Sequence, residues 1–291
     1  MIFEISHKTL YRYDSHVAQS QHLIHMSPRA APFQTVRRHS LLVEPAPAVR
    51  LQSQDMFGNP TILLEIEAPH KDLSLQARST VETQRRNIAR LDRGLAWDAL
   101  EGHLTGQGAE LDLNVIQYRC ASRLTTPSLE IADYAAVSFA TGRPVLDGAM
   151  DLTRRIFTEF KFDRTATDIS TPISEVLRGR RGVCQDFAHL SLAALRAHRI
   201  PARYVSGYIL THVPPGRPKL QGADASHAWI SVWSPEQGWV DFDPTNGVVV
   251  DDEHITVAIG RDYDDVCPIS GVLIGGGEHT VTVGVDVTPV Q

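Results

Sequence analysis

Short runs of β-branched and apolar residues, separated by turn formers, fill the first part of the chain. "RHSLLVEP", "TILLEIEA" and "LSLQARSTVET" each predict a strand, and "DMFGNP", Asp55 to Pro60, predicts a turn between two of them. Residues 1–85 therefore read as a small antiparallel, sandwich-like β-domain. Residues 86–143 form a connecting segment, in which "EGHLTGQGAE" looks like a loop and "PSLEIADYAAVSFA" like a short helix. From Pro144 the period changes. In "PVLDGAMDLTRRIFTEF", Val145, Ala149, Leu152, Ile156 and Phe160 recur at three- and four-residue steps, and a proline suits the helix start.

A second helix is predicted over Gln185 to His198. Phe187, Leu190, Ala194 and Ala197 would line one face, and Pro201 would stop it. "ARYVSGYIL", "HAWISVWS" and "GWVDFDP" then predict three strands. "HITVAIG" and "HTVTVGVDVTPV" predict two more, the last with Val281, Val283, Val285 and Val287 in strict alternation. Helices followed by antiparallel strands make residues 144–291 an α+β core with C-terminal strands, and the whole chain an α+β protein.

The 291 residues are 42% hydrophobic and 21% charged, which fits a globular protein with enough chain to bury a core. A net charge of −6 argues against a nucleic-acid surface, and the basic run "RGRRG" reads as a solvated turn before a helix. The three cysteines, Cys120, Cys184 and Cys267, are odd in number and follow no metal or disulfide spacing. The opening "MIFEISHKTLYRY" lacks the apolar core of a secretory signal, and no run approaches the ~18 apolar residues of a membrane helix. A reducing cytoplasm is the expected compartment, with no membrane or nucleic-acid partner, and no cofactor is called for.

Chemistry enters at "RGVCQDFAHL". Cys184 follows a glycine turn and opens the second predicted helix. A helix N-terminus carries unpaired N–H groups and about half a positive charge, both of which favour a thiolate. Cysteines so placed fall from a pKa of about 8.5 to between roughly 3.5 and 7.5. Gly182 permits the tight turn, and Arg180 and Arg181 add positive charge. Cys120 and Cys267 have no such setting and are expected to be inert and buried.

A nucleophilic thiol needs a base. His227 opens the strand "HAWISVW", sharing one face with Trp229, Ser231 and Trp233. "SPEQG" signals a hairpin into "GWVDFDP", where Trp239, Asp241 and Asp243 share a face. Pairing Trp233 with Trp239 makes Asp243 a diagonal neighbour of His227, at about 7–8 Å between backbones. A slip of two residues sets them directly opposite. Either way Asp243 is the better partner than Asp241. Cys184, His227 and Asp243 are thus the candidate catalytic residues, with the aspartate orienting an imidazole whose other nitrogen meets the sulfur.

"GVCQDFAHLSLAALRAHRIPARYVSGY", "SHAWISVW" and "GWVDFDPTNG" together resemble the transglutaminase-like superfamily of cysteine enzymes, in that order along the chain. "HKTLYRYDSHVAQSQHLIHMSPR" with "DMFGNP" is similar to the N-terminal β-domain of a bacterial branch of that family, and "HITVAIGRDYDDVCPISGV" to its C-terminal segment. The resemblance implies a papain-like core with its nucleophile on Cys184, its histidine on His227 and its aspartate on Asp243. The function it implies is acyl transfer on a peptide, a protein or a small amide through a thioester. Hydrolysis by a peptidase or amidase is the expected outcome. Transfer to an amine, as in a transglutaminase or ligase, is the alternative, and a non-catalytic binding module belongs to another class. The oxyanion would be met by the backbone N–H of Cys184 and a second donor, either a side chain before the helix or an indole such as Trp229.

Other charged or metal-competent runs read as solvated or structural. "HLIH" places His22 and His25 three apart, and "DDEH" and "RDYDD" collect carboxylates, without the ligand spacing of a calcium loop. No metal is expected. Arg261 and Asp262 are expected to form a buried bracing pair. No oligomeric state follows from the sequence.

Overall fold

A computed structural model describes residues 1–86, 88, 90–106, 112–211 and 226–290. The chain opens with a long strand, β1 (Ile2–Ile24), followed by β2 (Gln34–Glu44), β3 (Val49–Gln54), β4 (Pro60–Ile66) and β5 (His70–Thr83). Alternate residues of β1, including Phe3, Ile5, His7 and Thr9, point inward, as a half-buried strand requires. The strand order is β2-β5-β1-β4-β3, all antiparallel. One half of β1 contributes Phe3 and Ile5 to the main core, while Val17 and Ile24 in the other half join Leu64, Ile66, Leu73 and Leu75 in a separate one.

Short helices α1 (Leu100–Thr105), α2 (Leu113–Ile116) and α3 (Leu129–Ala136) lead to α4 (Val145–Glu159), β6 (Lys161–Phe162) and α5 (Ile173–Gly179). The start of "EGHLTGQGAE" is thus helical rather than loop, because Leu100 and Leu104 bury one turn of it; residues 107–110 of that run lie outside the described residues. Then come β7 (Arg181–Gly182) and α6 (Cys184–Ala197). Every residue of α6 from Asp186 to Arg196 is buried. It is a central helix rather than an amphipathic surface one, packed between α3, α4 and α5 and the second sheet. Its buried Phe187, Leu190, Leu192 and Leu195 each contribute about 1.5–3 kcal/mol. Arg196 is tolerated inside because its guanidinium donates to the carbonyls of Tyr118, Ala202 and Arg261 and to Ser122 and Thr125.

The second sheet contains β8 (Ala202–Ile209), β9 (Ser226–Ser234), β10 (Gly238–Asp243), β11 (Val248–Val249) and β12 (His254–Gly260), in the antiparallel order β11-β10-β9-β8-β12. The β9–β10 hairpin has the register that pairs Trp233 with Trp239. The last strands, β13 (Ile269–Gly275) and β14 (His279–Val290), do not extend this sheet. They pair with β1 and complete the first one, giving a mixed α+β fold whose N-terminal β-layer is closed by the far end of the chain.

Edge strand β12 meets the first layer through two side-chain amides. Gln34 donates to Thr256 O at 2.7 Å and accepts from Thr256 N at 2.8 Å. Asn59 does the same with Ile259, at 2.7 and 2.8 Å. Each amide acts as one rung of an additional strand and satisfies an otherwise open edge.

Candidate active site

The start of α6 is built by a carboxylate. Asp186 accepts from the backbone N–H of Val183 at 2.7 Å and from the Thr167 hydroxyl at 2.6 Å, fixing the turn that presents Cys184. Gly182 is required beside it, since a Cβ there would lie 2.6 Å from the Asp186 carboxylate. Cys184 is half-buried at the first helical position. Its backbone N–H sits in the first turn, out of reach of any helix carbonyl. Arg180 pairs with Glu159 at 2.9 Å, and its guanidinium lies over the Tyr134 and Phe160 rings.

His227 begins β9 and is buried. Its Nε2 lies 2.7 Å from Asp243 Oδ2, and the charge of Cys184 acts on the ring as well. With Nε2 committed to the carboxylate, Nδ1 is the nitrogen left for sulfur. Opposite His227 on β8 is Gly207, where a Cβ would collide with Ile255 O at 2.1 Å and with the Trp229 ring at 2.5 Å; the bare backbone leaves room for the indole against β8.

Asp243 is fully buried and heavily coordinated. Its Oδ1 accepts from the backbone N–H groups of Thr245 and Asn246, at 2.8 and 3.2 Å. Its Oδ2 accepts from the Asn246 side chain at 2.6 Å, from His227, and from His254 Nε2 at 3.1 Å. Burial opposes its charge, but the hydrogen bonds from His227 and His254 outweigh this and hold the carboxyl well below the usual range. Burial likewise disfavours an imidazolium at His227. The hydrogen bonds and charges of Asp243 and Cys184 reverse that effect and raise the ring to about 10.

His254 is a partner that the sequence pattern did not expose. "DDEH" reads as a solvated acidic turn, yet His254 is buried, opens β12, and has Asp251 3.5 Å from its Nδ1. Its pKa too is raised, burial being outweighed by Asp243 and Asp251. The only sequence signal was that "HITVAIG" is apolar enough to bury its first residue. Nε2 of His227, Nε2 of His254 and an Asp243 oxygen form the one His/Cys/Asp/Glu group among the described residues that could gather a metal, within 4.8 Å of one another. These atoms already satisfy one another by hydrogen bonds, so the group is accounted for without an ion.

Behind His254 stands Trp229, edge-on at 5.3 Å between ring centroids. Its indole N–H donates to Asp241 at 3.1 Å, so it is not free to serve an oxyanion, contrary to the expectation from sequence. Asp241 in turn pairs with Arg86 at 2.8 Å.

The remaining candidates separate from this site. Cys120 is exposed rather than buried, and Cys267 is half-buried, with its sulfur 3.3 Å from Ile269 O. His22 and His25 are buried in the first layer, where His25 contacts Cys267 O and Asp55. The expected Arg261–Asp262 pair does not form. Arg261 binds Asp265 at 2.8 Å, while Asp262 accepts from the N–H groups of Leu124 and Asp264, because the short 3-10 turn at Tyr263–Asp265 needs a cap.

Comparison with known proteins agrees with this layout. Residues 3–82 match the Bacterial transglutaminase-like N-terminal region, and residues 133–244 match the Transglutaminase-like superfamily. An uncharacterized protein of Mycobacterium tuberculosis is 39% identical over 99% of this chain and 93% of its own length. A stretch of 67 residues, 23% of this chain, is 43% identical to part of a protein-glutamine gamma-glutamyltransferase of Pseudomonas aeruginosa, covering 10% of that protein. A crystal structure from Cytophaga hutchinsonii, described as a "Putative Cysteine Protease", superposes with a TM-score of 0.76 over 99% of this chain and 90% of that one; at 23% identity it shows the shared fold.

Proposed function

This chain belongs to the transglutaminase-like superfamily, and on that premise we propose that it carries out cysteine-dependent acyl transfer on peptide or amide bonds, ending in hydrolysis. The observation that carries the reading is the buried His227 ring, held by Asp243 at 2.7 Å and carried on the strand that packs against α6, whose first residue is Cys184. Cys184, His227 and Asp243 act as a triad. The thiolate of Cys184 attacks the carbonyl carbon, and the C–N bond breaks as the His227 imidazolium gives its proton to the leaving amine. The resulting thioester is attacked by water, which His227 deprotonates, and free acid departs as the thiolate re-forms. The backbone N–H of Cys184 stabilises the oxyanion. A cleft of about 420 Å³ beside the start of α6, lined by Gln185, Ile131, Ile169 and Ile173 among others, offers an apolar berth for a substrate side chain.

Amine transfer is the second reading, favoured by the local match to the gamma-glutamyltransferase. The same residues would form the thioester, and an amine would replace water. Incubation with candidate peptides and a labelled amine separates the two: hydrolysis predicts free acid outpacing amine incorporation, and the opposite result favours transfer. Cys184→Ala should abolish either activity while leaving the melting curve intact. An activity that survives the change refutes the thiol mechanism, and no activity in the wild type on any amide would favour a binding module. We place the protein in a reducing compartment, the cytoplasm, in keeping with its three unpaired cysteines.

A further inference from the structure

A cleft of about 710 Å³ opens at the seam between the first β-layer and the second sheet. Phe33 and Arg86 form one wall; Arg203, Trp239, Val240 and Asp241 form the other. Both guanidinium groups sit over aromatic rings, Arg86 at 3.4 Å from the Phe33 centroid and Arg203 at 4.3 Å from that of Trp239. Stacking holds a guanidinium in place without using its N–H donors.

Those donors are undersupplied with partners. The Arg86 side chain is only 9% exposed. One of its terminal nitrogens pairs with Asp241, but its Nε and Nη2 are buried without a hydrogen-bond partner among the described residues, and so is Arg203 Nε. Buried N–H groups are normally satisfied, and a buried charge normally has a counter-charge. Two guanidiniums face one buried carboxylate here, and Asp241 also accepts from Trp229. Burial draws Arg203 down to about 10, which leaves it protonated at neutral pH. Among the described residues, no second buried carboxylate lines the cleft to match the second guanidinium.

We propose that this cleft is a binding site for a carboxylate carried on an apolar body, the carboxylate meeting Arg86 and Arg203 and the body resting against Trp239, Val240 and Ile88. A monoanion balances the charge of that second guanidinium and matches its flat fork. A polyanion would exceed that charge and meet Glu236, which lines the same cleft. Cys184, His227 and Asp243 are not among the residues that line this cleft, and it needs no turnover to be occupied.

Calorimetric titration of the full chain at fixed ionic strength tests the proposal, with phenylacetate as the probe and inorganic phosphate as the comparator. Saturable phenylacetate binding is expected, weakened at least tenfold by Arg203→Met and unchanged by Cys184→Ala. Should Arg203→Met fail to fold, Arg203→Lys keeps the charge but loses the fork, and a several-fold weakening is expected. Absence of saturable binding, meaning that the donors face only ordered water, overturns the proposal. So does phosphate binding more tightly than phenylacetate, or phenylacetate binding that is indifferent to both Arg203 variants. Loss of binding in Cys184→Ala would move the ligand to the active site and also overturn it.

Discussion

His254 reaches the same Asp243 oxygen as His227, its Nε2 3.1 Å from Oδ2. One carboxylate therefore steadies two buried imidazoles, and Asp243 is fixed from β12 as well as from its own hairpin. His254→Ala removes a charge-assisted hydrogen bond, typically about 1.5–3 kcal/mol. We expect kcat/KM on a cleaved substrate to fall by about tenfold to a hundredfold, with an altered pH profile. His254→Gln, able to donate to the carboxylate, should restore part of the loss. Equal damage from both variants, without a change in the pH profile, would mean that the ring only fills space.

The pH dependence follows from the two shifts at the site. His227 is raised from 6.5 to about 10, so its contribution to stability is complete below pH 6.5 and is lost as pH rises toward 10. Asp243 is depressed, so its contribution is present above about pH 4 and fades only in stronger acid. Urea unfolding should show stability declining between about pH 6.5 and 10 in the wild type. His227→Gln should flatten that decline. The acylation rate should fall toward the alkaline end of that range, as the imidazolium that protonates the leaving amine disappears. A wild-type stability curve that stays level through pH 10 would contradict the ion pair.

Asn59 couples the two layers by pairing with both backbone groups of Ile259, and Asp55 holds its amide at 2.7 Å. Asn59→Ala leaves two buried backbone groups on β12 without partners. A loss of about 2–4 kcal/mol in unfolding free energy is expected. Asn59→Asp should be as damaging, since it cannot donate to Ile259 O. Because β12 begins at His254, hydrogen exchange in β12 should quicken in both variants. Unchanged exchange there would show that the amide is not what holds the strand.

Gly182→Ala would bring a methyl group within 2.6 Å of the Asp186 carboxylate, which also holds Val183 N. Overpacking of this kind typically costs about 1–3 kcal/mol. Moving the carboxylate also moves the turn before Cys184. We expect the alkylation rate of Cys184 by iodoacetamide to change more than that of exposed Cys120, as read by peptide mass mapping. Equal changes at both cysteines would point to general loosening instead.

What the sequence determined by itself was local. The period of α6, the strands β8, β9 and β10, and the hairpin pairing of Trp233 with Trp239 follow from side-chain spacing and turn residues close together in the chain. That local register was enough to prefer Asp243 over Asp241 as the partner of His227. What only the tertiary structure decided depends on residues far apart in the chain. His254 comes to Asp243 because β12 pairs with β8 across the sheet, and β13 and β14 return to β1 because its open edges offer backbone partners. Arg86 meets Asp241 only when the two layers close, and Trp229 is then withdrawn from any oxyanion by that same carboxylate. Spacing along a chain encodes which way a side chain faces; which buried charge it must neutralise is settled only when distant segments exclude water together.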